Sequence, residues 1–439
     1  RELNYLIQDR IPVFLYNSPN DFQQTNITSS LLPEGVGGFT EIFKNRVVLP
    51  FNGSYEDFRH VLHHELTHAV TFDLLYGNNL SSLISRNRLF QIPLWYAEGY
   101  AEYSSRHGWD YHSDMFMRDA TINGYLAPIG YIGGYLAYRQ GQAMVKYLAD
   151  TYGEEKLGMV LRKGKIHLSM NKALKETYGI TEKELWEEFS KEMKRRYWPD
   201  IAIRQEADEF ADQLTKARED GSYYNEKPVY TPSGDKIAIF TDESDFTEIV
   251  LIDAVTGEIT DRLVKSSRSG DLESLHSYVS GVSFSPDGRQ MVFVAKSHGN
   301  DALFFFDMDK REVTDIKRYG FNTIVNPDWS PDGSRIVFSA LEGDRRDLWV
   351  YEVSTDTVVR LMADRHDDIE PCWTADSRRI IFSSDRYHPQ NPAVPQVGTM
   401  YSGPEAYMPG EFDYGTYKLH TVDLETGIVT PLDVDLVAN

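Results

Sequence analysis

Disulfides, long apolar runs and positive charge are all scarce in this chain. Cys372 is the one cysteine among 439 residues, so no intramolecular disulfide framework holds the fold. A single thiol suits a reducing cytoplasm and a periplasm alike. No apolar run approaches the roughly 20 residues a membrane-spanning helix requires, so no membrane span is expected. Lysine and arginine number 45 against 67 aspartates and glutamates, a formal net charge of −22. That argues against nucleic acid as a partner, because phosphates demand positive patches. A start methionine and a signal peptide are also missing. The chain opens Arg1-Glu2-Leu3-Asn4, and Leu3, Leu6 and Ile7 read as the tail of a helix that begins upstream. A truncated N-terminus is therefore expected, and the want of a targeting segment says nothing.

What is present fits a soluble globular protein, with 41% hydrophobic and 26% charged residues, and is too long for one ordinary core. Two textures divide the chain. Residues 1–204 mix β-rich runs (11–16 and 46–51) with helical periodicity, and read as an α+β domain. Expected helices cover Phe58–Leu75, Leu94–Ser104, Tyr135–Tyr152 and Thr181–Tyr197. The first has capping-box spacing in Ser54 and Asp57, the second Pro93 in its first turn, and Gly153 and Pro199 close the last two. Residues 205–227 are charged and polar and read as a connector with some helix. Residues 228–439 are all-β.

In that last part Ser285-Pro286-Asp287-Gly288 and Ser330-Pro331-Asp332-Gly333 repeat about 45 residues apart. Thr231-Pro232-Ser233-Gly234, 54 residues before the first, and Thr374-Ala375-Asp376-Ser377, 44 after the second, are degenerate copies. A short β run follows each tetrad (Lys236–Phe240, Gln290–Val294, Arg335–Phe338, Arg379–Phe382). A second follows it (Ile249–Asp253, Leu303–Asp307, Leu348–Glu352, and Tyr417–Asp423 after a Pro/Gly-rich insertion at 388–415). A fixed period with four short strands per unit is the sequence mark of propeller blades. The tetrads and their strands resemble the WD40-like repeat of TolB-type β-propellers over residues 228–432. Four recognisable blades make either an unusually small propeller or an incomplete one. The resemblance implies a bacterial periplasmic or secreted setting and a propeller that binds a substrate protein or a protein partner.

His64-Glu65-Leu66-Thr67-His68 carries the chemistry. Residues four apart share a helix face, so both imidazoles can reach one metal ion, and the glutamate beside them can take a proton from a water the metal activates. Further on, Trp95-Tyr96-Ala97-Glu98-Gly99-Tyr100-Ala101-Glu102 puts two carboxylates one turn apart on a second helix. Gly99 and Ala101 are small, so that helix can approach the first closely. A catalytic zinc takes three protein ligands and keeps one open position; His64, His68 and Glu98 supply three. His60 is not a ligand candidate beside His68, because it lies roughly 12 Å away along the axis. His63 is expected on the helix surface or behind the ligands.

These two motifs together resemble the gluzincin metallopeptidases of the peptidase MA-like group, over roughly residues 1–200. The resemblance implies a zincin-type domain with one Zn2+ per chain, bound by His64, His68 and Glu98, and Glu65 as the catalytic base. It also implies that Glu102 accepts a hydrogen bond from a ligand histidine; the choice of Glu98 over Glu102 as ligand rests on the Glu-Gly pair. A peptide or protein substrate follows. The oxyanion formed on attack needs a donor, for which Tyr138, Tyr135, Tyr131, His107 and His112 are candidates. Tyr138 is favoured because Tyr138-Arg139-Gln140-Gly141-Gln142 is similar to a segment of the family. Gly37, Gly38 and Phe39 are the candidate substrate-binding strand, since paired glycines let an extended peptide come close. A different class of function, a propeller scaffold with a slow or inactive zincin domain, is separated from the enzyme by metal analysis and a Glu65→Gln variant.

Overall fold

A computed structural model describes residues 3, 5–7, 9–29, 32–42, 44–77, 90–217, 219–266, 271–364, 366–387 and 416–432. The insertion at 388–415 lies outside the described residues. Two compact units emerge: Arg1–Leu15, Gly37–Leu49 and Asp57–Asp212 in the first, Tyr16–Val36, Pro50–Glu56 and Gln213–Asn439 in the second.

The first unit is helical with one small sheet. Strands β1 (Val13–Tyr16), β2 (Phe39–Glu41) and β3 (Arg46–Pro50) form a sheet in the order β1-β3-β2, so β2 is an edge. Val47, Val48 and Leu49 of β3 are fully buried, and Val47 and Leu49 pack with Ala69, Phe58, Val61, Leu62 and Leu66 of helix α2 (Tyr55–Tyr76). Helix α1 (Pro19–Gln23), which belongs to the second unit, precedes it in the chain, with Ser18 capping its N-terminus. After α2 come α3 (Leu94–Ser105), α4 (Tyr111–Ile122), α5 (Tyr135–Tyr152), α6 (Leu157–His167), α7 (Met170–Tyr178) and α8 (Glu182–Ile201). Trp95, Tyr96, Met144, Leu148, Leu161, Leu174 and Phe189 build their shared core. Thr181 and Glu184 form a reciprocal capping box at the start of α8. Pro199 does not close this helix as expected: α8 runs on to Ile201, and its end tightens through the bond from Ala202 N–H to the Pro199 carbonyl at 3.2 Å. Without an N–H, Pro199 cannot bond the Arg195 carbonyl four residues back, and the helix ends two residues beyond it.

The second unit is a series of antiparallel sheets in chain order. They comprise β4–β7 (Asn225–Tyr230, Lys236–Thr241, Glu248–Asp253, Ile259–Lys265), β13–β16 (Thr323–Trp329, Arg335–Glu342, Arg345–Glu352, Thr357–Arg360) and β17–β20 (Asp368–Trp373, Arg379–Tyr387, Thr416–Asp423, Val429–Pro431). Between the first two lies a sheet whose inner strand is split into β8 (Ser274–Leu275) and β9 (Val282–Phe284). Both pair with β10 (Gln290–Ser297), followed by β11 (Asn300–Asp307) and β12 (Glu312–Lys317). The expected strands after each tetrad all fall within observed ones, and the tetrads earn their repeat through turn chemistry. Ser285 Oγ donates to Asp287 at 2.6 Å and accepts from Gln290 N–H at 2.9 Å; Ser330 does the same with Asp332 and Arg335 at 2.7 and 2.9 Å. Gly288 and Gly333 sit at φ +69° and +75°, the left-handed region a glycine enters without strain.

Alternation with period two explains why the strands read as unbroken apolar runs. Met291, Phe293 and Ala295 pack with Phe240 and Leu251 of the preceding sheet, while Val292 and Val294 pack with Ile336 and Phe338 of the next. Val337 and Val350 in turn meet Ile380 and Phe382. Among the described residues no such cluster joins the fourth sheet to the first; the outer face of the first, Ile237, Ile239, Val250 and Ile252, is met by Leu214. Among the described residues the four sheets are not closed on one another, in keeping with an incomplete propeller.

The sequence offers no sign that residues 16–36 are tied to these sheets. Asn20 Nδ2 donates to Asp301 Oδ1 at 2.7 Å, and the His276 ring lies 2.8 Å from both Glu34 Oε1 and Asp301 Oδ1. Burial lowers the His276 pKa, but Asp301 and Glu34 outweigh it and raise it to about 10. A folded-state value above the ordinary one of about 6.5 stabilises the fold below that pH and loses its effect as pH climbs through about 10. The melting temperature of His276→Gln should therefore fall furthest below wild type near pH 6, with the gap closing toward pH 10. A gap that stays constant over this range would refute the charged bridge.

Candidate metal centre

Helix α2 buries the very residues of its motif: His64, Glu65, Thr67 and His68 are each under a tenth exposed. Polar side chains are buried at such cost only with partners, and α3 brings them. Glu98 Oε2 stands 3.2 Å from His64 Nε2 and 3.1 Å from His68 Nε2, and the two Nε2 atoms are 3.0 Å apart. Three donor atoms from two helices thus meet around one point. Behind them, Glu102 Oε1 stands 3.0 Å from His64 Nδ1, off the ideal hydrogen-bond line.

Gly99 is small for a different helix than expected. A Cβ there would lie 2.2 Å from the Gly141 carbonyl carbon, and one on Gly141 would lie 2.3 Å from the Trp95 carbonyl oxygen. The glycine pair lets α3 and α5 touch backbone to backbone, which fixes Glu98 and Glu102 from behind; it does not serve the approach of α3 to α2.

The electrostatics suit a cation. Burial lowers the His64 pKa, yet hydrogen bonds with Glu102 and Glu98 and the charge of Glu65 lift it to about 9. Burial opposes ionisation of Glu98, but the two histidines bring its carboxyl down to about 2. Glu102 is shifted downward the same way by His60 and His64.

Of the oxyanion candidates, Tyr138 lines the same cavity as Glu65, His68 and Glu98, and its ring stacks on His64 at 5.8 Å between centroids. Burial, and then the nearby carboxylates, raise its pKa, so its phenol keeps its proton. Tyr131, Tyr135, His107 and His112 do not line that cavity. Tyr135 instead accepts a hydrogen bond from Arg139 Nε at 2.7 Å, and the His107 ring lies against His63. Gly38 and Phe39 line the cavity, whereas Gly37 does not. A Cβ on Gly38 would sit 3.1–3.3 Å from Val61, Leu49 and Glu65, so its smallness accommodates the chain's own α2 and β3 rather than an incoming peptide.

Several partners escape sequence reasoning. Thr40 Oγ1 is 2.6 Å from Glu65 Oε2 and 2.9 Å from the Glu65 carbonyl oxygen. Arg106 Nε and Arg139 Nη1 donate to Glu102 Oε2 at 2.7 and 3.3 Å, and His60 Nε2 is 3.3 Å from Glu102 Oε1. His63 lies 3.2 Å from Ser104 Oγ. Only Arg106, four residues past Glu102 on one helix face, left a signal in the sequence. A second acidic group, Asp347, Asp364 and Asp368, gathers in the second unit. Arg360 pairs with Asp347, and Arg386 with Asp364 and Asp368, so guanidinium groups already meet that charge.

Residues 4–194 match the family model of the peptidase MA superfamily, and residues 281–397 that of the TolB beta propeller domain. The chain joins a peptidase MA superfamily domain to a TolB-type propeller. Among curated proteins it is similar to the Tol-Pal system protein TolB of Anaeromyxobacter dehalogenans, 31% identical over 88 residues, which is 20% of either chain. It is also similar to a TolB homolog of Chlorobium luteolum, 30% identical over 115 residues, 26% of either chain. The chain thus spans 20–26% of the length of these curated relatives. Among solved structures, TolB from Acinetobacter baumannii aligns over 48% of this chain and 45% of that one, at 23% identity and a TM-score of 0.35. No helix among the described residues is long and apolar enough to cross a membrane.

Proposed function

We propose that the first unit is a zinc-dependent peptidase. The observation that carries this reading is the convergence of His64 Nε2, His68 Nε2 and Glu98 Oε2 within 3.0–3.2 Å of one another, in a setting of buried carboxylates. Two imidazole nitrogens and one carboxylate oxygen are the donor set of a catalytic zinc site, and they fit one ion per chain. Zinc held there would acidify a water and polarise the peptide carbonyl.

The chain's own residues do the rest. Glu65 accepts the proton of the attacking water and returns it to the departing amine. The Thr40 hydroxyl, donating to Glu65 Oε2, holds that carboxylate in place. Glu102 orients the His64 ring through Nδ1, leaving Nε2 for the ion. The Tyr138 phenol, kept protonated, donates to the carbonyl oxygen as negative charge grows on it. The outer edge of β2, with Gly38 and Phe39 at the cavity, pairs with the extended substrate backbone. The propeller recruits a protein substrate or partner, and its likeness to TolB proteins supports a bacterial envelope setting.

Purified protein should carry one zinc per chain, and removing it with a chelator should abolish cleavage of a peptide library that zinc alone restores. Full activity in the metal-stripped protein would overturn the reading.

A further inference from the structure

One face of α2 continues past the histidine pair. His64, His68, Phe72 and Tyr76 recur every fourth residue, and their rings follow one another along the helix. Ring centroids are 4.7 Å apart for His64 and His68, 5.6 Å for His68 and Phe72 in a near-parallel stack, and 6.0 Å for Phe72 and Tyr76. The cavity at the donor atoms has a volume of about 550 Å³, and beyond His68 its wall is made by Phe72, Tyr76, Phe90, Gln91, Ile92 and Leu94, with Gln91 the one uncharged amide among them. Tyr76 donates to the Phe90 carbonyl at 3.0 Å, which ties the helix to the segment opposite.

The lining carries no lysine, arginine or aspartate among the described residues; its carboxylates are Glu65 and Glu98, both at the donor cluster. Among the described lining residues, a charged side chain entering past them would lose its water and find no partner of opposite sign deeper in. An acidic one would also meet the two carboxylates. An apolar side chain gains about 25 cal/mol for each Å² it removes from water, and the volume is that of a cleft that accepts a bulky group. Each turn of helix rises about 5.4 Å, so Phe72 is one turn from His68. The side chain that reaches it therefore belongs to a residue beside the bond held at the donor atoms.

Resting on the peptidase reading, we infer that this cavity selects peptides in which a residue adjoining the scissile bond carries a large, uncharged apolar side chain. It rejects acidic and basic side chains at that position.

The test uses the full chain and end-blocked fluorescent hexapeptides that differ only in one central residue: Phe, Leu, Ala, Glu or Lys. Binding is read by anisotropy on zinc-loaded Glu65→Gln protein, and cleavage on wild type. The Phe and Leu peptides should bind best and be cut next to that residue, with Ala about tenfold and Glu and Lys about a hundredfold poorer. Phe72→Ala should erase the preference for Phe over Ala while zinc content is unchanged. Leu94→Arg, at a position 50% exposed in the first turn of α3 and so tolerant of substitution, should raise binding of the Glu peptide at least tenfold. Equal binding of Phe, Glu and Lys peptides, or binding of none, overturns the inference. Selective binding of Phe without cleavage by wild type would instead overturn the peptidase reading and leave the selectivity of the cavity standing.

Discussion

Glu65→Gln should lower kcat for peptide cleavage by about 10²–10⁴-fold, with KM and zinc content little changed. The substitution keeps the size and hydrogen-bonding reach of a side chain that is 6% exposed. The Thr40 hydroxyl, 2.6 Å from Oε2, can donate to the glutamine carbonyl as it does to the carboxylate. Packing and metal donors are therefore spared, while an amide cannot accept and return a proton at neutral pH. A loss confined to kcat identifies the group that moves the proton. Steady-state kinetics with metal analysis on the same preparation check it; cleavage equal to wild type would mean that another group serves as base, or that the cleavage comes from elsewhere.

The candidate site was legible where its chemistry is local. The four-residue interval of His64 and His68 works because a helix turn sets it, and Glu98 and Glu102 repeat that logic on α3. The tetrads were legible for the same reason: a serine or threonine closing a turn on the aspartate two residues on is a contact within one loop. What was not legible depends on segments far apart in the chain. Thr40 reaches Glu65 from β2, Arg139 reaches Glu102 from α5, and Gly99 needs Gly141, none of which any spacing announces. The placing of Asn20 and Glu34 against Asp301 and His276 is the extreme case, since their partners lie more than half the chain away. Nor can a repeat count say whether a ring of sheets closes, because closure is decided by what covers the first sheet, here Leu214.

The proposed zinc site depends on Glu98, rather than Glu102, to complete it. Glu98 Oε2 lies within 3.2 Å of both Nε2 atoms. Glu102 instead faces the opposite nitrogen of His64 and is held there by Arg106 and Arg139. Loss of a group that only orients a ligand costs roughly 10–100-fold in metal affinity, and loss of one ligand in three should cost more. Zinc titration of metal-free wild type, Glu98→Gln and Glu102→Gln, followed by competition with a chromophoric chelator, measures this directly. The expected result is one site in wild type, a loss of more than about a hundredfold in Glu98→Gln and a smaller one in Glu102→Gln. The opposite order, or wild-type affinity in Glu98→Gln, would contradict the assignment.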